Sequence, residues 1–449
     1  MSPVKVPVMF PVMRTLFLAV PIAGLLAACG NGPVILSEEE KAARITINPF
    51  QENMTPDPVL ASAVIALPAG SANADWTQAG ANASKLPGVV SAAPEFREAW
   101  RTGVGEGSSE QKRIVAAPVV KDGRIYVIDA AQRVSAFDVA TGRRVWENRL
   151  KAANPQWDEF SVGGGLAITG DKLIVASGFG YVTALSLTDG KEIWRRATDS
   201  PLSSSPAILG TRAFLTSTNN DFYAIDTENG EIIWNDQAIA ESARVLSSPS
   251  PAVSQDILVV GYSSGELIAY LPANGRRLWA DTLTSTGRYT PLSVINDIAG
   301  KPTMQDGIVY AASHSGILTA IDARTGARIW SRTFGSRQGP VIGGDYLFVV
   351  GVNGKVAALN KIDGKIAWTR DLPEFKDGNR ENRIVWTGPL LAEGRLVVVS
   401  SEGDVIALSP QNGETVSELK VGQGIYIEPI AAAGKVFVLT DSATLIAIK

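Results

Sequence analysis

Reactive chemistry has few carriers in this 449-residue chain, which holds one cysteine and one histidine. Cys29 closes the run Leu26-Ala27-Ala28-Cys29, a lipobox pattern. Its thiol can form a diacylglyceryl thioether, the small residues before it admit a signal peptidase, and the freed amine can then be acylated. With that cysteine used for lipid, no disulfide and no cysteine metal site can form. His314 lies in Ser313-His-Ser-Gly316, where related segments read Ser263-Ser-Gly265 and Ser401-Glu-Gly403, so it is expected to be a turn residue. A nucleophilic triad or a histidine metal centre would need partners that the chain lacks, so no catalytic residue, metal or cofactor is assigned. Gly103-Val-Gly105-Glu-Gly107 imitates a phosphate loop, but no Lys-Ser/Thr follows. It is expected to be a flexible linker, as is Gly163-Gly-Gly165.

The elements around these groups divide the chain in three. Lys5 and Arg14 precede an apolar run from Thr15 to Ala28, too short to span a bilayer, and residues 1–28 read as a lipoprotein signal peptide. Residues 29–75 are expected to be a lipid-anchored tether, rich in Pro, Ala, Asn and Ser. Ser37-Glu-Glu-Glu40 within it fits a helix-capping box. Gly30, rather than Asp, follows the cysteine, which in such lipoproteins implies sorting to the outer membrane. Several acyl chains anchor stably where one is reversible. Without residues 1–28 the chain carries 39 basic and 45 acidic residues and no basic cluster, a poor match to nucleic acid.

Residues 76–449 carry an internal repeat. A turn residue, a Gly and then a Trp four positions later recur at Gly142/Trp146, Gly190/Trp194, Gly230/Trp234, Gly275/Trp279, Gly326/Trp330 and Gly364/Trp368. A seventh copy, Gly413-Glu-Thr-Val-Ser417, has lost the Trp. The steps between terminal positions are 48, 40, 45, 51, 38 and 49 residues, and a period of about 40–50 residues with four strand signals per unit specifies a β-propeller. The Gly supplies the left-handed residue of a tight hairpin, and the Trp presents a flat face to the next unit. Phe96-Arg-Glu-Ala-Trp100 looks like an orphan fourth strand, while Lys435–Thr440 and Thr444–Lys449 supply strands without one. Together they complete a blade. The fold is therefore expected to be all-β, an eight-bladed β-propeller of four-stranded antiparallel blades closed by N- and C-terminal strands.

The phrase resembles the PQQ-type propeller repeat of quinoprotein alcohol dehydrogenases. That resemblance implies a rival function, a PQQ-dependent enzyme. Those enzymes use a vicinal cysteine pair and a calcium-bound Asp/Glu/Asn cluster, and this chain has one cysteine and no Cys-x-x-Cys-His. Lipobox, tether and ring together resemble the propeller lipoproteins of the outer-membrane β-barrel assembly (BAM) machine. The likeness is strongest in Pro291-Leu-Ser-Val-Ile-Asn-Asp-Ile298, in Asp306 to Asp322 and in Glu428-Pro-Ile-Ala-Ala-Ala-Gly434. It implies a non-enzymatic scaffold, lipid-anchored on the periplasmic face of the outer membrane. Its partners would be the BamA POTRA domains and other BAM subunits, with unfolded outer-membrane proteins as further ligands. A propeller that binds another envelope partner, such as a glycan or another lipoprotein, is the remaining reading.

Spacing points to one face. The longer steps carry extra residues between a Trp and the next inner strand, at Glu147 to Gly165, Asn235 to Ser248, Asp281 to Lys301 and Thr369 to Gly388. Insertions confined to one face of a repeat array mark a binding surface. The family's BamA contacts fall by resemblance on Arg244, Val245 and Leu246 and on Asp297; Ala299 stands where the family has a second Asp. Trp157 and Trp386 in the long connections are either partner anchors or local packing.

Overall fold

A computed structural model describes residues 54–152, 161–241, 249–284, 297–378 and 381–449. They belong to one compact unit, Pro49–Lys449. It holds eight four-stranded antiparallel sheets, each paired in simple sequential order except the last. Blades 1 to 7 follow the chain. Blade 1, for example, is Val119–Lys121, Arg124–Ile128, Arg133–Asp138 and Arg144–Arg149 from inner to outer strand. Blade 8 joins Ile430–Ala432, Lys435–Leu439 and Thr444–Ile448 to Glu98–Gly103, its outer strand. The architecture is the expected eight-bladed propeller, closed by its two ends.

The repeated phrase locks neighbouring blades together. Each Gly of the phrase has φ between 68° and 75°, a region that side chains enter only at a cost. A Cβ there would also lie 2.5–2.7 Å from the Trp of the preceding blade in seven of the eight joints, from Trp100 against Gly142 to Trp368 against Gly413. The indole N–H then donates to a backbone carbonyl in the same turn, as from Trp146 to Leu187 at 2.9 Å and from Trp279 to Ala323 at 2.7 Å. Directly across the sheet from the Trp stands an alanine, Ala136 opposite Trp146 and Ala224 opposite Trp234, which leaves room for the ring to lie flat. Trp146, Trp330 and Trp368 are buried, whereas Trp194, Trp234 and Trp279 are half-buried and pack at the edge of the apolar clusters between blades.

The tether expected up to residue 75 ends earlier. From Asp57 on, the chain is bound to the ring on the face that carries the first-to-second-strand turns. Asp57 N–H donates to Ile366 of blade 6, and Ile65 exchanges two hydrogen bonds with the Gln411 side chain of blade 7. Asn73 accepts from Ala433 of blade 8, Trp76 pairs with Val120 of blade 1, and Thr77 accepts from Ile168 of blade 2. The Gln78 side chain brackets Ile208 of blade 3, and Ala83 and Ser84 accept from Val253 of blade 4 and Met304 of blade 5. This strap therefore contacts all eight blades in rotational order. It returns through Val90, which bonds Leu391 and Glu393 of blade 7, before entering blade 8. Backbone groups left over at the inner-strand ends supply most of these bonds, which explains why a Pro- and Ala-rich segment can make them.

Candidate functional site

The inner strands surround an axial cavity of about 490 Å³. Its walls come from the connections that enter the inner strands, including Arg113, Ser203, Ser250, Lys301, Arg337 and Glu428. These connections share a face with the second-to-third-strand turns: His314 N–H donates to the Asp297 carbonyl, and Asp441 N–H to that of Gly424. Ala79 of the strap lines the cavity from the other end. The strap thus closes one end of the axial channel, opposite the connections that enter the inner strands.

Charge is concentrated inside. Lys301 holds both carboxylate oxygens of Glu428 in an ion pair within the wall. Below them Lys85, at the end of the strap loop, is 2% exposed, and its Nζ reaches Gln78 Oε1 at 3.5 Å. Burial holds its ammonium well below the usual lysine range; the charge of Lys301 adds to this and that of Glu428 opposes it. Arg337 is likewise lowered by burial, against the opposing fields of Asp297 and Tyr426. A smaller cavity of about 160 Å³ adjoins, sharing His314 and Arg337 and reaching Arg383 and Trp386.

The expected site residues fare unequally. Cys29, the residues Arg244, Val245 and Leu246, and Trp157 lie outside the described residues. Asp297 is described and buried at 1% exposure, so its carboxylate sits inside the wall beside Arg337 rather than on a docking surface. His314 occupies the turn expected of it and also lines both cavities, a role that a turn motif does not announce.

Trp386 belongs to the inner strand Trp386–Ala392 and donates its indole N–H to Pro373, so it is packing rather than a partner anchor. Gly103 to Gly107 is no flexible linker. A Cβ on Gly105 would lie 1.9 Å from Asp129 Oδ2, the same oxygen that accepts the Glu106 N–H, so these glycines permit close packing between blades 8 and 1. Among the described residues, no three His, Cys, Asp or Glu side chains are grouped as a metal site would need, and no helix is long and apolar enough to cross a membrane.

Comparison with known proteins places this geometry. A family profile described as outer membrane protein assembly factor BamB matches residues 92–157, 131–370 and 352–449. The chain is 27% identical over 354 residues to outer membrane protein assembly factor BamB of Escherichia coli (strain K12), covering 78% of this chain and 88% of that protein. It is 26% identical over 355 residues to the protein of that name from Bordetella pertussis (strain Tohama I), covering 79% and 86%. The crystal structure of BamB from Moraxella catarrhalis is similar with a TM-score of 0.65 at 17% identity, over 78% of this chain and 99% of that one. Quinohemoprotein alcohol dehydrogenase from Comamonas testosteroni, with a TM-score of 0.60 at 14% identity over 83% of this chain and 80% of that one, shares the fold. The strap up to residue 91 precedes the segments that the family profile matches.

Proposed function

This chain belongs to the BamB family of outer membrane protein assembly factors, and from that membership we propose that it is a non-enzymatic scaffold of the outer-membrane β-barrel assembly machine. The observation that carries the reading is the extent of the family match, which runs through every blade from residue 92 to residue 449. In this reading Cys29 carries the lipid that holds the ring at the periplasmic face of the outer membrane. The insertion-bearing face meets the POTRA domains of BamA through Arg244, Val245 and Leu246. Asp297 supports that face from within, because its carbonyl holds the His314 turn.

Co-purification from detergent-solubilised outer membranes tests the scaffold. Leu246→Asp should reduce the BamA recovered with this chain while leaving thermal unfolding unchanged. Undiminished recovery would remove the docking assignment, and no BamA with the unaltered chain would remove the scaffold reading itself. The non-enzymatic part has its own test. Titration with pyrroloquinoline quinone and calcium should leave the absorbance spectrum of the quinone unchanged, whereas a saturable spectral shift would favour the dehydrogenase-like alternative.

A further inference from the structure

We propose that the blind axial pocket binds a small oxyanion, a carboxylate or phosphate compound, held by Arg113 and Arg337 above the strap lysine Lys85. The inference goes beyond the scaffold reading and does not depend on it. A through-channel would expose such groups to water from both ends, but the strap closes one end and leaves a cavity of about 490 Å³. That volume lies within the range of about 300–1,000 Å³ in which small-molecule sites fall.

The charges inside are incompletely matched. Among the described residues, the pocket lining sets Arg113, Lys301 and Arg337 against Glu428 and Asp441, one more basic group than acidic, with Lys85 buried behind the Lys301–Glu428 pair. Glu428 is engaged by Lys301 through both oxygens. Lys85 is nine-tenths or more buried and has three N–H donors, yet among the described residues its Nζ reaches one acceptor, Gln78 Oε1, at the outer limit of a hydrogen bond. Buried donors in native proteins are almost always satisfied, and an unsatisfied charged one is costly. The Arg337 guanidinium lines both cavities and forms no ion pair within 4.0 Å with a described residue. A guanidinium presents a planar fork of donors that matches carboxylate and phosphate geometry, and a nearby ammonium adds a point charge. An oxyanion between them would satisfy donors that the wall leaves short and would favour the charged form of Lys85.

The test uses the purified full chain in detergent, titrated with citrate and separately with inorganic phosphate, against sodium chloride of matched ionic strength. Thermal unfolding and isothermal calorimetry are read together. A saturable rise in Tm with citrate or with phosphate, following mass action and absent with chloride, is expected. Preference for citrate identifies a carboxylate ligand and preference for phosphate a phosphate ligand. Arg337→Gln should weaken that binding about tenfold or more, as loss of a charge-assisted bond does. Arg276→Gln, an exposed arginine on an outer turn, should leave it unchanged. If Arg337→Gln fails to fold, Arg113→Gln carries the same expectation. No saturable effect of either anion, or one that Arg337→Gln or Arg113→Gln leaves intact, overturns the proposal.

Discussion

Seven of the eight joints between blades are built alike, and the eighth is not. In the seven, a Trp lies on a left-handed Gly of the next blade and donates to a carbonyl in its turn. The eighth joint links blade 7 to blade 8, and there Ser417 stands in place of the Trp. The reason is chain connectivity. Blade 8 takes its outer strand from the N-terminal side, so it has no hairpin between third and fourth strands. Without that turn there is neither Gly nor carbonyl for an indole to meet. Other contacts hold the seam. The Arg395 guanidinium of blade 7 lies 5.1 Å over the Phe96 ring and donates to the Ala93 carbonyl, while Arg97 and Lys449 exchange backbone hydrogen bonds that close the ladder inside blade 8. A continuous apolar cluster also runs from blade 7 through blade 8 into blade 1. A Trp in this family of repeats is thus a property of the turn it faces as much as of its own strand.

Breaking a regular joint should have the largest effect. Trp234→Ala removes a ring packed among Phe214, Phe222 and Tyr270 and should cost about 3–5 kcal/mol in denaturant unfolding; a loss below about 1 kcal/mol would contradict the locking role. At the seam, Arg395→Ala should cost less, about 1–3 kcal/mol, and should raise hydrogen exchange first around residues 93–97. Exchange that rises uniformly over the ring would argue against a local fastening.

The strap gives a pH-dependent effect. The folded pKa of Lys85 lies below the unfolded value near 10.5, so between the two the unfolded chain binds more protons. Stability from this group therefore climbs with pH across that window. Lys85→Met removes the slope: the variant should be the more stable at neutral pH, and the two midpoints should converge as pH approaches 10.5. A gap that widens with pH would show that Lys85 is charged and stabilising in the fold. The smallest effect should come from Ser417→Trp, within about 0.5 kcal/mol of the unaltered chain, because the seam offers no Gly turn to receive the ring. A gain above about 1 kcal/mol would mean that the Trp, and not the turn, makes a joint.

Much of the ring was legible because its rules are local. Gly and Trp four residues apart report a turn and a packing face, and counting them predicted eight blades and the shared closure. A further signal went unread: an Ala stands ten residues before each terminal position, from Ala136 to Ala407, and it lies directly opposite that position across the sheet. Trp100 was legible only as an orphan strand, although it opens the series of joints by packing on Gly142. The strap could not be read. Its partners lie from 44 residues away (Trp76 to Val120) to 360 (Asn73 to Ala433), its bonds are mainly backbone bonds that carry no residue signature, and its composition is that of a linker. Ile65 and Trp76 are buried while their apolar neighbours Val59 and Val64 are exposed, a difference that composition does not announce. Asp297 shows the same limit for the site, since its position in a long connection says nothing of the wall that buries it.

The order in which the strap meets the blades makes it a timekeeper for folding. Residues 57–73 leave the ribosome before any blade, yet they bind blades 6, 7 and 8, the last to be made. Ile65 waits for Gln411, 346 positions further along. Contacts of such long sequence separation form late, because the loop between them must close first. The earliest part of the ring to be synthesised is therefore the last to settle, and a seated strap certifies that the count of blades is complete.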